Sequence, residues 1–138
     1  MGRVLAIDYG TKRVGLAVTD SLRIIATGLE TVSSKEVIGY LDKYFLKETI
    51  DLVVVGDPKT LMNKASSNAI HVEEFLKKFK EKFPLMKIER VDERFTSSIA
   101  QRTMLEGGLK KTDRKNKSTV DLISAVLILQ TWMEMNPK

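Results

Sequence analysis

The chain has no cysteine and a single histidine, His71, among its 138 residues. The missing cysteine excludes disulfides, zinc–thiolate sites and a cysteine nucleophile. His71 sits beside the apolar stripe of its segment, one residue before Val72, and reads as solvent-facing. Serine- or cysteine-type catalytic triads are therefore poorly supported. Proline is scarce, at three residues, and no repeat, low-complexity segment or linker interrupts the chain. No apolar run approaches the ~18 residues of a membrane span. The N-terminus lacks the basic-then-apolar pattern of a signal peptide and enters a strand almost at once. Together these features point to a cytoplasmic protein with no membrane contact.

What is present describes a globular chain, 43% hydrophobic and 30% charged. That is long enough to bury a core, and residues 1–138 read as one domain. The net charge of +5 is unevenly spread. Lys110, Lys111, Arg114, Lys115 and Lys117 face only Asp113 in that stretch, five positive charges against one negative, so a net of +4 falls there. A basic cluster of this kind is the footprint of a phosphate-backbone binder, or else a solvated loop.

The pattern of elements begins with Val4-Leu5-Ala6-Ile7, a turn over Asp8-Tyr9-Gly10-Thr11, and Val14-Gly15-Leu16-Ala17-Val18, a β-hairpin. A third strand is predicted over 24–32 after a turn at Asp20-Ser21, giving an antiparallel meander. Ser33 or Ser34 is suited to cap a helix carrying Val37, Ile38, Leu41, Tyr44 and Phe45, with Glu36 in its first turn. Leu52-Val53-Val54-Val55-Gly56 has the uninterrupted apolar run of a strand buried on both faces. A helix with the stripe Val72, Phe75, Leu76 and Phe79 ends before Pro84. A strand through Ile88 and Val91 follows, running out at Asp92-Glu93-Arg94. A helix from Thr96 stops at Gly107-Gly108. The last helix, 120–135, is apolar on nearly every side and belongs against the sheet. This order predicts an α/β fold: a mixed five-stranded sheet, a three-strand antiparallel meander plus parallel strands, with helices on both faces.

Three acidic sites fall at element ends: Asp8, Asp92-Glu93 and Asp121. If the sheet brings them together, they need a cation to stay ionised side by side. Hard divalent ions accept such all-oxygen sets, and carboxylate-held metals cleave phosphodiesters. Each acid also has an ordinary reading. Asp8 fits a turn, Asp92-Glu93-Arg94 fits a solvated strand end, and Asp121 loosely fits an S-x-x-D helix cap. Arg13 and Arg94, each close to a proposed acid, suit either an ion pair or a phosphate contact.

The stretch from Leu5 to Val18, with Val54-Val55-Gly56, Asp92-Glu93-Arg94-Phe95-Thr96 and the run from Val120 to Gln130, resembles the YqgF/RuvX family over essentially the whole chain. Two departures stand out: Asp57 replaces an apolar residue before the proline, and 63–67 lacks a glycine often found there. The resemblance implies an RNase H-like fold. It also implies a nuclease of the group described both as Holliday-junction resolvases and as enzymes maturing the 5′ end of the small-subunit ribosomal RNA precursor. Its acids carry over to Asp8, Glu93 and Asp121, as catalytic residues and ligands of Mg²⁺ or Mn²⁺, with Asp92 a less secure neighbour. Lys12, Arg13, Arg94 and the basic run Lys110, Lys111, Arg114, Lys115 and Lys117 would then contact nucleic acid.

Three functions follow for this site. One is a Mg²⁺-dependent endonuclease on precursor rRNA, associated with the ribosome or its precursor. Another is a resolvase of four-way DNA junctions, which needs two active sites and hence a homodimer rather than a monomer. The third is a non-catalytic ribosome-assembly factor. The Asp-x-Gly-Thr hairpin also occurs in two-domain ATP-binding proteins, but 138 residues supply only one such domain.

Overall fold

Val53, Val54 and Val55 are consecutive and all fully buried, which a strand achieves only when both of its faces are covered. The computed structural model describes residues 2–57, 69–92 and 117–136. Its strands are β1 (Arg3–Tyr9), β2 (Arg13–Thr19), β3 (Ala26–Ser33), β4 (Ile50–Asp57) and β5 (Lys87–Asp92). Its helices are α1 (Val37–Lys47), α2 (Ala69–Lys82) and α3 (Lys117–Met135). The five strands form one sheet in the order β3-β2-β1-β4-β5. The β1–β2 and β2–β3 pairs are antiparallel, whereas β1–β4 and β4–β5 are parallel. The mixed sheet expected from the element order is therefore present, with β1 at its centre.

Alternation along the strands sorts the core into two layers. Leu5, Ile7, Val53 and Val55 pack with Val37 and Leu41 of α1 and Phe75 and Phe79 of α2. Val4, Ala6, Leu52 and Val54 pack with Ala125, Ile128, Leu129 and Trp132 of α3. The nearly all-apolar α3 lies across the sheet, touching every strand. Among the described residues no helix is long and apolar enough to cross a membrane.

Two local expectations need correction. The third strand begins at Ala26, not Ile24. The Asp20 carboxylate accepts the backbone N–H groups of Leu22, Ile24 and Ile25 at 3.3, 2.7 and 2.9 Å, so the chain closes into a loop first. Those donors, Ile25 foremost, hold the Asp20 carboxyl below its usual range, and Arg23 adopts a left-handed φ of 57° inside the loop. Nor does Ser33 or Ser34 cap α1, which starts from Glu36 with no side-chain cap. Ser33 ends β3 and accepts the Lys35 N–H. Ser34 Oγ instead donates to Thr11 O at 2.6 Å, tying the β1–β2 turn to the approach to α1. His71 is exposed, as its position implied. The proposed helix from Thr96 and the basic residues Lys110, Lys111, Arg114 and Lys115 lie outside the described residues.

Candidate active site

β1, β4 and β5 are parallel, so their carboxyl ends share one edge of the sheet. Asp8, Asp57 and Asp92 all lie at that edge and all are half-buried. They do not share a face. Asp8 follows Ile7 of the α1/α2 layer and so falls with Ala6 on the α3 side. Asp57 follows the strand phase of Val53 and Val55, and Asp92 comes one residue after Val91 of the α3 layer. By the same alternation both belong to the α1/α2 side, where they are register partners across β4 and β5. A parallel edge thus gathers three carboxylates, and strand phase separates one from the other two.

The acid that joins Asp8 comes from α3. Asp8 is paired across the hairpin with Gly15, and directly opposed residues on neighbouring strands share a face. Gly15 has no side chain, and α3 fills the space. A Cβ built on Gly15 would lie 2.2 Å from the Asp121 carbonyl oxygen and 2.7 Å from its carbon. The first turns of α3 therefore rest on bare backbone beside Asp8. A lone glycine inside an apolar strand signals such a close approach, and its role here was legible in the sequence but not drawn from it. α3 begins at Lys117, so Ser118 is already helical and the Ser118–Asp121 spacing does not form the capping pattern at the helix start.

Arg13 completes this corner. Its Nε donates to Asp121 Oδ2 at 3.0 Å, with the two side chains 37% and 22% exposed. The turn that carries it is fixed: Gly10 N–H donates to Arg13 O at 3.0 Å and Ser34 N–H to Lys12 O at 3.1 Å. Lys12 is exposed on the same turn. A half-exposed ion pair of this kind contributes only about 0–1 kcal/mol and is easily exchanged for another partner.

The opposite side of the edge is built differently. Arg90 grips both oxygens of Glu73 on α2, with Nη2 to Oε2 at 2.9 Å. That contact lowers the Glu73 carboxyl and raises the Arg90 guanidinium, with Asp57 adding to the latter. Tyr9 stacks on Phe75 at 4.6 Å nearby. Arg90 and Glu73 thus neutralise one another within the protein.

The α3 side fits a divalent cation by its donor chemistry. Asp8 and Asp121 supply hard carboxylate oxygens, and a cation, the Arg13 guanidinium, already rests against one of them. Among the described residues no three acids or histidines cluster in a metal-holding group. The third expected ligand, Glu93, lies outside the described residues, as does Arg94, and of Lys117 only the backbone position at the start of α3 is described.

Comparison with known proteins identifies the family and the fold. A family model described as "RuvX: Holliday junction resolvase" matches residues 2–135. A Christiangramia forsetii protein named "Putative pre-16S rRNA nuclease" is 54% identical over 133 residues, covering 96% of this chain and 98% of that protein. A Bacteroides thetaiotaomicron protein of the same name is 51% identical over 134 residues, covering 97% of each. Among solved structures, Thermus thermophilus RuvC with a Holliday junction aligns at a TM-score of 0.54 and 17% identity, covering 99% of this chain and 97% of that one. Fowlpox virus resolvase with its junction DNA aligns at 0.56 and 12% identity, covering 99% of both. At such identities the two structures speak for the fold alone, which is that of the RNase H-like resolvases.

Proposed function

Because the chain belongs to the RuvX family, we propose that it is a metal-dependent nuclease that trims the 5′ end of precursor 16S rRNA in the cytoplasm, residues 1–138 acting as one unit. The observation that supports this reading is the packing of the Asp121 backbone against Gly15, the register partner of Asp8 across the hairpin. The names of the half-identical relatives supply the substrate.

Asp8, Glu93 and Asp121 would hold Mg²⁺, or Mn²⁺ in its place. Bound there, the ion would activate water and stabilise the leaving oxygen. The protein's own part is positional. Asp8 is fixed by the central strand and Asp121 by a helix seated on backbone. Lys12 and Arg13, on the tied turn, would contact the phosphate backbone. Arg94 and the run Lys110, Lys111, Arg114, Lys115 and Lys117 extend the positive path, binding by charge and therefore weakening with salt.

The family description favours a second reading, resolution of four-way DNA junctions, for which two active sites would require a homodimer. The two are separated by offering precursor rRNA and four-way junctions side by side, with Mg²⁺ and with a chelator. The rRNA reading expects Mg²⁺-dependent cleavage of the precursor near its 5′ end and junctions left intact. Paired symmetric cuts in the junction alone would establish the second reading. Salt-sensitive binding without cleavage under any metal would overturn both in favour of an assembly factor.

A further inference from the structure

Arg13 is in direct contact with Asp121, one of the proposed metal-binding acids. The guanidinium rests on Asp121 Oδ2 at 3.0 Å through Nε, the inner nitrogen of the fork. Its backbone is held by the hydrogen-bonded turn described above. Over a third of its side chain meets solvent, so it can leave Asp121 without breaking the core. A guanidinium neutralises a carboxylate but has no site for a water ligand, so it cannot stand in for the divalent ion chemically.

We propose that Arg13 is a placeholder cation: it neutralises Asp121 in the metal-free enzyme, competes with the divalent ion for that carboxylate, and is displaced toward the incoming phosphate when the ion binds. The proposal rests on the metal-dependent reading above. It makes Arg13 a positioning residue that links filling of the site to capture of the backbone. Two demands of the site are thereby met. The negative charge of Asp121, beside the strand edge that carries Asp8, is offset before the ion arrives. A site already neutralised by arginine also stays shut to a lone divalent ion until its concentration, or a phosphate that draws Arg13 away, tips the exchange.

The competition has a sign that other roles lack. If Arg13 competes, Arg13→Gln binds divalent ions more tightly. If it only touches phosphate, affinity for the ion is unchanged. If it supports the ligand from behind, affinity falls. The measurement is Mn²⁺ titration of the full chain without nucleic acid, followed by the loss of the free-ion electron paramagnetic resonance signal. Thermal melting confirms that each variant is folded. Arg13→Gln is expected to bind Mn²⁺ about threefold more tightly than the parent, because the ion no longer has to displace the weak, half-exposed guanidinium contact from Asp121. Arg13→Lys, which keeps the charge but not the planar fork, is expected to fall between them. Equal or weaker binding by Arg13→Gln, with Asp121→Asn still weakening binding, overturns the competition and leaves the metal site standing. Mn²⁺ affinity unmoved by Asp121→Asn overturns the metal assignment itself, and the competition with it.

Discussion

Alanine and glycine punctuate the sheet face under α3, whereas on the other face the helices α1 and α2 add a cluster of rings over an aliphatic sheet. Ala6, Ala17 and Ala125 are fully buried on the α3 side, and Gly15 lets that helix approach the backbone. On the other side Phe45, Phe75, Phe79 and Phe83 form a chain of ring contacts 4.9–6.4 Å between centroids. Small residues let a helix sit close enough for its Asp121 to share a corner with Asp8. Aromatic residues bury more area but hold their partners further off. One face thus sets a geometry and the other supplies packing, so damage to each should show in different measurements.

The largest effect is expected from the aromatic face. Phe79→Ala removes a fully buried ring and should cost about 3–5 kcal/mol of stability, read by denaturant unfolding. Cleavage per folded molecule should stay within about threefold of the parent, because the ring lies in the layer away from Asp8. Gly15→Ala should reverse that pattern. Its Cβ meets a helix carbonyl that must move, at about 1–3 kcal/mol of stability. A shift of that kind at a reacting centre costs on the order of 10²-fold in rate, so cleavage should drop far more than the melting temperature suggests.

Smaller effects belong to pH. The Tyr40 hydroxyl, which donates to Glu30, is pushed up from 10.0 to about 12, by burial first and then by that carboxylate. Between those values the unfolded chain has lost this proton and the folded chain keeps it, so stability falls as pH rises through the window. Tyr40→Phe should flatten that part of the curve in melts run from pH 9 to 12. The smallest effect is expected at Glu73, whose carboxyl Arg90 holds below its usual 4.5. This stabilisation is present above that value and is lost as pH falls below it. The pair is largely exposed, so Glu73→Gln should cost under about 1 kcal/mol at neutral pH. Melts of the two proteins should converge in acid.

Much of this was legible in the sequence where one segment decides the outcome. Val53–Val55 announced a strand covered on both sides, the apolar α3 announced a helix against the sheet, and the hairpin gave both β1 and its acid. What failed depended on partners elsewhere. Spacing made Ser33 and Ser34 caps, but their hydroxyls serve Lys35 and Thr11 instead. Ile24 and Ile25 look like strand, yet three N–H groups folding onto Asp20 are stronger than their β-propensity. The separation of Asp57 and Asp92 from Asp8 could not be read at all. It depends on strand phase and pairing, and one residue of slip reverses the face. The Arg13–Asp121 contact joins residues far apart in the chain, which spacing along the sequence does not reveal.

The central claim is that the working corner lies on the α3 side of the strand edge and not on the other. It is tested most directly by single-turnover cleavage of the preferred substrate in Mg²⁺ by Asp8→Asn, Asp121→Asn and Asp57→Asn, all confirmed as folded. Asp8→Asn and Asp121→Asn should each lose at least about 100-fold in rate, while Asp57→Asn stays within about threefold of the parent. Cleavage that survives Asp8→Asn or Asp121→Asn, or collapses with Asp57→Asn, would place the chemistry on the opposite face and contradict the account.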